Sequence, residues 1–362
     1  MLRTTARILQ SDYEVQTAAT PTEALKKAET FSPQLAIVDI RLPKMDGFEV
    51  MKALKGLDER CQVILMTGSI YDIDEKLVRA IREEAFYYIT KPFDREVLRT
   101  LVHRCLALQD LETKNQNHMA HLENQMDEAR AFQESMLPDR EAQVAGFEIY
   151  AAHHPSTELA GDLYDYATVG PGCLAMLIAD VVGHGVSAAM LTGIVKSAFH
   201  SSHIDDYDPQ AVVRRVSEGI ASFEYSRFVT LLCARISIFD RRLEYVNAGH
   251  DGGLITSPTN PPQPLQATGP IVSPALDYVT WDLNTLDWNT DTQILLYTDG
   301  IPEAGGAGEQ FGSDQLYHIV QNNPAGGPDL LNTILEQVRQ FVNHRPATDD
   351  MTLLTARCPD PT

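Results

Sequence analysis

The 362-residue sequence predicts a multi-domain chain: a doubly wound α/β unit, a helical coiled-coil linker and an α+β unit with two sheets flanked by helices. Three observations predict it. Residues 1–106 alternate helical and strand-like segments, residues 107–137 contain neither glycine nor proline, and residues 138–362 group apolar runs with amphipathic helices between the groups.

In the first region the helical piece LRTTARIL precedes a predicted strand, YEVQTAA. Helix PTEALKKAETF then leads to strand LAIVDI, helix GFEVMKALKGL to strand QVILMTG, and helix EKLVRAIREEA to strand FYYIT; helix REVLRTLVHRCL closes the set. Such alternation implies a parallel sheet, whose chemistry sits beyond the carboxyl ends of its strands. Asp39, Thr67 and Lys91 fall there.

In the second region Leu101, Leu108, Asn115, Leu122, Ala129 and Met136 recur every seven residues, and Leu111 and Phe132 fall three beyond Leu108 and Ala129. This pattern predicts a short parallel coiled coil and hence a homodimer, with Asn115 as a register-fixing polar position and with His118 and Gln125 weakening the seam. Pro138 ends the helix.

In the third region the predicted strands are FEIYAAH, LAMLIAD, FVTLLCARISIF, LEYVNAG, GLITS, TQILLYT and MTLLTAR. The turn Asp240-Arg241-Arg242 makes two of them a hairpin. The predicted helices are VSAAMLTGIVKSAFHS, PQAVVRRVSEGIASF, SDQLYHIVQN and PDLLNTILEQVRQFVN, and the proline-rich SPTNPPQPLQATGPIVSP reads as a surface loop.

A net charge of −21 argues against non-specific nucleic-acid binding or a polybasic membrane contact. Five cysteines without a CxxC pair point to a reducing compartment. No run of about 18 apolar residues and no signal-peptide pattern occur, so a cytoplasmic protein is expected. Clustered acids, by contrast, want cations. Asp180 ends the apolar run Cys173–Ala179 beside a glycine turn, a placement suited to a hard cation. Asp162 in AGDLYD, Asp299 and Asp349 pose the same question, the last two beside strand-like runs, so four distant aspartates can meet at one sheet edge.

LAIVDIRLPKMDGFEV, ILMTGS and YYITKPF, in that order over residues 1–106, resemble the CheY-like receiver domain of response regulators. The resemblance implies that Asp39 is the phosphoacceptor, Thr67 and Lys91 its hydroxyl and cationic partners, Tyr88 a switch aromatic, and a histidine kinase or other phosphotransfer donor the partner. A carboxylate at a strand end can attack a phosphoryl donor, and a lysine and hydroxyl can hold the added charge. Receivers also begin with a central strand ending in an acidic pair that holds Mg²⁺; here the chain starts inside what reads as the first helix, so that strand and pair are missing and conventional phosphorylation of Asp39 is expected to be impaired.

FQESMLP (132–138), AGDLYDY (160–166), ADVVGHGVSAAML (179–191), YVNAGHDGG (245–253), YTDGIPEA (297–304) and TDDMT (348–352) resemble the PPM-type metal-dependent protein phosphatases of the SpoIIE/RsbU branch. The resemblance implies a domain over 138–362 with two Mg²⁺ or Mn²⁺ ions. Asp180 would bridge them with the Val181 carbonyl as a further ligand, Asp162 would act at the first ion, and Asp299 and Asp349 at the second. It further implies hydrolysis of phosphoserine or phosphothreonine by metal-activated water without a phosphoenzyme, on a small anti-sigma-factor antagonist. Asp165 and Asp350 read as capping groups and His184 and His250 as structural, while Glu303 and Thr352 fit the pattern without assignable chemistry. The competing reading is an adaptor that binds a regulatory protein without catalysis; such relatives usually lose metal aspartates, and all four stand here.

Overall fold

A computed structural model describes residues 2–43, 45–68, 87–183, 185–276, 278–289, 291–305, 308–324 and 326–358. The chain divides into two compact units, Met1–Leu122 and Glu123–Thr362. A single 42-residue helix, Arg95–Met136, contributes to both. Among the described residues no helix is long and apolar enough to cross a membrane.

The first unit is built on a three-stranded parallel sheet of β1 (Leu35–Asp39), β2 (Gln62–Thr67) and β3 (Tyr87–Thr90), in that order. Its helices are α1 (Leu2–Leu9), α2 (Pro21–Phe31), α3 (Gly47–Leu57) and the start of α4 (Arg95–Met136). α2 starts where Thr20 accepts from the Glu23 amide and Pro21 occupies the first turn; α3 starts at an Asp46–Glu49 capping box. Ala28, Phe48, Met51 and Leu54 pack on one face of the sheet, and Leu9, Leu98 and Val102 on the other. The predicted helix EKLVRAIREEA lies outside the described residues.

YEVQTAA is not a strand, contrary to the sequence expectation. Among the described residues β1 pairs only with β2, and a groove of about 530 Å³ runs between its other edge and residues 13–21. An extended segment with no ladder partner gains nothing from its β-prone sequence. No strand precedes α1 among the described residues.

The second unit stacks four layers, helices–sheet–sheet–helices. One sheet is antiparallel, in the order β12 (Asn284–Asp287), β9 (Arg242–Ala248), β8 (Val229–Ser237), β7 (Cys173–Val181), β6 (Asp162–Gly170). The other runs β11 (Asn260–Pro264), β10 (Gly253–Ser257), β13 (Gln293–Tyr297), β14 (Met351–Arg357), β5 (Phe147–His154), β4 (Glu141–Val144). Between them Phe147, Tyr164, Met176, Leu232, Ile294 and Leu354 form a shared core. Helices α5 (Val186–Ser201) and α6 (Pro209–Ile220) cover the first sheet. Helices α7 (Ser313–Asn322) and α8 (Gly327–Phe341) cover the second. Two departures from the sequence reading stand out. The proline-rich loop contains β11, an edge strand, where prolines need donate nothing to a neighbour. β6, β4 and β12 form where no strand was expected; β6 starts at Asp162 itself.

Candidate active site

The centre of the second unit is the pairing of β6 with β7, in which Asp162 lies directly across from Asp180. Cross-strand neighbours of like charge repel, and this pair lies where the sheet meets the loops. Asp180 is pushed up to about 7, first by burial and then by Asp299, Asp349 and Asp350. Asp299 is pushed up to about 6 by burial, Asp349 and Glu303. Asp162, fully buried, is raised by burial and by Asp180. Three of the expected ligands, Asp180, Asp299 and Asp349, thus share one electrostatic neighbourhood, and Asp162 joins it through Asp180.

Asp162 is held by two hydroxyls. Thr298 donates to its Oδ2 at 2.7 Å and Thr352 at 2.6 Å. The Thr352 amide in turn donates to the Thr298 hydroxyl at 3.0 Å. Thr352 has only one hydroxyl proton, spent on Asp162, so His153 Nδ1, 3.0 Å away, is the protonated ring nitrogen. Sequence reasoning left Thr352 without a role and overlooked Thr298. The only signal was their place: each lies within three residues of an expected ligand.

Asp350 binds no hydroxyl cluster of this kind. Its carboxylate accepts from the Ser156 amide at 2.6 Å, the Ser156 hydroxyl at 2.9 Å and the Gly161 amide at 2.7 Å, which fixes the loop before Asp162. Asp165 is buried, ion-paired with Lys196 at 2.8 Å and 2.9 Å from His200 Nε2, tying β6 to α5. Both carboxylates are taken up by these bonds, and Asp350 also raises Asp180 and Asp162 through its charge. Asp349 is exposed and accepts from the Asp350 amide at 2.8 Å.

The Asp180 turn is closely packed. The Val181 carbonyl would lie 2.8 Å from any Cβ on Gly161, so only glycine fits there. Gly183 has φ +89, a left-handed conformation that a turn between strand and helix uses. His184 lies outside the described residues. On the other side, Gln133 of α4 is buried and clamps Ala160: its Nε2 donates to the Ala160 carbonyl at 2.8 Å, and its Oε1 accepts from the Ala160 amide at 2.9 Å. Gln133 lay inside the quoted FQESMLP motif but was given no role.

The donor set is oxygen throughout, carboxylates with the Val181 carbonyl, as a hard divalent cation prefers, and the charge repulsion among these aspartates is what such a cation would relieve. As they stand, no three His, Cys, Asp or Glu groups among the described residues converge closely enough to hold an ion. The residues fit a divalent metal in donor chemistry and in their shared electrostatic neighbourhood.

His250 is a buried structural group. Its Nε2 faces the Tyr297 carbonyl at 3.1 Å and so donates; Nδ1, at 2.9 Å from the Thr230 hydroxyl, accepts. Burial lowers its pKa to about 4. The unfolded chain binds a proton near pH 6.5 that the folded chain refuses, so this stability is full above pH 6.5 and is lost as pH falls toward 4. Between pH 7 and pH 5 the expected loss is about 2 kcal/mol. Acid denaturation followed by circular dichroism should show that slope reduced in His250→Gln; an unchanged slope would refute the assignment.

In the first unit, Asp39 at the end of β1 is ion-paired with Lys91 and accepts from the Arg41 amide at 3.1 Å. The Lys91 amide donates to the Thr67 carbonyl at 2.7 Å, which places buried Thr67 beside the pair. The half-buried Tyr88 packs against the α3 side of the sheet, and its hydroxyl has no partner among the described residues.

Comparison with known proteins agrees with this architecture. The family model for the response regulator receiver domain matches residues 1–103. Phosphoserine phosphatase RsbP of Bacillus subtilis is 27% identical over 209 residues, 56% of this chain and 50% of RsbP. Phosphoserine phosphatase RsbU of the same organism is 22% identical over 241 residues, 65% of this chain and 70% of RsbU. The chain thus spans only half the length of RsbP. Among solved structures, the SiaA-PP2C domain of Pseudomonas aeruginosa superposes with a TM-score of 0.59 at 18% identity, covering 66% of this chain and 98% of that domain, a likeness of fold. The model of Stage II sporulation protein E (SpoIIE) matches residues 170–359, just over half of the chain and a span that includes Asp180, Asp299 and Asp349: the chain belongs to the SpoIIE family, with a receiver domain ahead of it.

Proposed function

We propose that the second unit is a metal-dependent protein serine/threonine phosphatase whose activity is set by the receiver. The observation that carries this reading is the Asp162–Asp180 cross-strand pair, with Asp299 and Asp349 in the same electrostatic neighbourhood, in a chain whose relatives are named phosphoserine phosphatases. Two Mg²⁺ or Mn²⁺ ions, when bound, would lower the pKa of a water and offset the charge that builds on the phosphoryl oxygens.

This chain's own residues do the rest. Asp180 and the Val181 carbonyl, with Asp162, Asp299 and Asp349, would hold the ions. Thr298 and Thr352 fix the Asp162 carboxylate in one orientation, as a hydrogen-bonded ligand requires. Asp350 and Gln133 fix the backbone on either side of Gly161. No side chain is assigned as a nucleophile. Retention of all four aspartates favours catalysis over an adaptor role. The substrate class is phosphoserine or phosphothreonine on a signalling protein, an anti-sigma-factor antagonist by resemblance. Exposed Val186 and Met190 at the start of α5 offer it apolar contact next to the Asp180 turn.

In the receiver, Asp39 beside Lys91, Thr67 and Tyr88 takes the phosphoacceptor position by resemblance, a histidine kinase or another phosphoryl donor being the matching partner, and without the acidic pair its phosphorylation is expected to be impaired. Dimerisation through α4 would join two such chains. Leu108, Leu111 and Leu122 of its heptad are exposed in the single chain and would be covered in a dimer. Sedimentation of the wild-type chain should give a dimer mass and Leu108→Lys/Leu111→Lys a monomer mass; a wild-type monomer at micromolar concentration would discard the coiled coil.

The decisive test of the phosphatase reading is phosphate release from p-nitrophenyl phosphate and from a phosphoserine peptide, with Mn²⁺ and with chelator. Release that needs the metal is the expected result. No release by folded protein under any divalent metal would overturn the reading.

A further inference from the structure

We infer that Arg227 binds the phosphoryl group of the substrate. The inference rests on the phosphatase reading above and names a specificity residue for that site. β7 and β8 pair in the register Asp180↔Thr230 and Val181↔Val229. The Val182 amide then donates to the Phe228 carbonyl at 3.1 Å, which carries the pairing one step further and sets Arg227 alongside Gly183. The Arg227 Nη1 lies 4.0 Å from where a side chain would begin on Gly183. Position 183 carries no Cβ and has a left-handed φ, so Gly183 itself puts no side chain between this guanidinium and the backbone of the turn.

Arg227 is also unlike the other cations of its unit. Among the described residues, every other half-buried lysine or arginine of the second unit has an acceptor. Lys196 holds Asp165, Arg215 holds Asp205, Arg235 holds Glu244 and Arg357 holds Glu148. Arg130 donates to the Glu158 carbonyl at 3.0 Å. Arg227 is half-buried with no side-chain hydrogen bond or ion pair among the described residues, although the chain carries a net charge of −21. Its backbone is anchored nonetheless: the amide donates to the Glu224 carbonyl at 2.9 Å and the carbonyl accepts from the Ser273 hydroxyl at 3.5 Å. An arginine held alongside the turn that follows Asp180, with no acid of its own, is positioned for an anion that arrives from outside. The planar guanidinium fork matches two phosphoryl oxygens, and a lysine reproduces the charge without the fork.

The test measures binding of inorganic phosphate to the Mn²⁺-loaded full chain by titration calorimetry, alongside kinetics with a phosphoserine peptide. For Arg227→Ala, phosphate Kd and peptide KM are expected to rise about tenfold or more, while kcat stays within about threefold. Arg227→Lys should recover part of the loss. Mn²⁺ affinity and Tm should match the wild type in both variants, which separates loss of an anion contact from unfolding. If wild-type chain binds and releases phosphate while Arg227→Ala has the same phosphate Kd, the Arg227 assignment is overturned and the phosphatase reading stands. If wild-type chain neither binds nor releases phosphate with any metal, both are overturned.

Discussion

Replacing Asp180 by asparagine is expected to cut metal-dependent phosphate release by about a thousandfold and, with metal chelated, to make the protein more stable. The two effects have one cause. Asp180 sits across from Asp162 and is raised to about 7 by burial and by its acidic neighbours, against an ordinary value of 3.8. In the folded chain the carboxyl therefore keeps a proton that the unfolded chain has released. The associated stability is full below pH 3.8, declines as pH rises through the window to 7, and is absent above it. Asparagine keeps the shape and cannot ionise. At pH 8, without metal, Asp180→Asn should thus gain roughly 2–4 kcal/mol, a rise in Tm on the order of 5–10 °C for a unit of this size. The gain should vanish near pH 4. Added Mn²⁺ should stabilise the wild type and leave the variant unmoved, because binding to the folded state alone shifts Tm. Thermal melts at both pH values, with chelator and with Mn²⁺, check this directly. A variant less stable than wild type at pH 8 in chelator would mean that the acidic cluster is not under repulsion.

Much of this architecture was legible because it is local. α2, α5 and α7 begin and end where the helical pattern and flanking residues place them; for α2, Thr20 and Pro21 set the start. β7 and β13 are continuous apolar runs and could hardly be anything but buried strands. What failed was non-local. YEVQTAA has strand composition, but its ladder needs a neighbour that β1's open edge does not reach. β6 was missed for the opposite reason: DLYDYATVG has acids and small residues among its aromatics, and it is a strand because β7 lies beside it. The four aspartates stand out through motif order and, for Asp180, Asp299 and Asp349, through positions beside strand-like runs. Their supports do not, because Thr298 reaches Asp162 across 136 residues of sequence and Thr352 across 190. No periodicity encodes such a contact.

Gln133 shows the same limit of local reading, and its removal is the second large expected effect. The Ala160 amide and carbonyl are satisfied by one side chain, at 2.9 Å and 2.8 Å, inside a buried contact. The neighbouring bonds brace the same loop: Gly161 to the Asp350 carboxylate at 2.7 Å, and the Val181 amide to the Gly161 carbonyl at 3.2 Å. Gln133→Ala leaves two buried backbone groups unpaired, at a cost of roughly 2–4 kcal/mol. It also frees the segment two residues ahead of Asp162. A shift of about 1 Å at a reacting centre can cost a hundredfold in rate, so phosphate release should fall at least tenfold, with weaker Mn²⁺ binding. Gln133→Glu keeps an acceptor for the Ala160 amide and loses the donor to its carbonyl, so its rate should fall between the two. Measuring kcat, Mn²⁺ affinity and Tm for both variants separates the roles. If Gln133→Ala loses stability but keeps the wild-type Mn²⁺ titration and rate, the glutamine only packs α4 against the domain. If rate and metal affinity fall together while the folded population stays above about 95% at the assay temperature, then the end of α4 sets the position of Asp162. A change in α4 would then be enough to turn the site on or off.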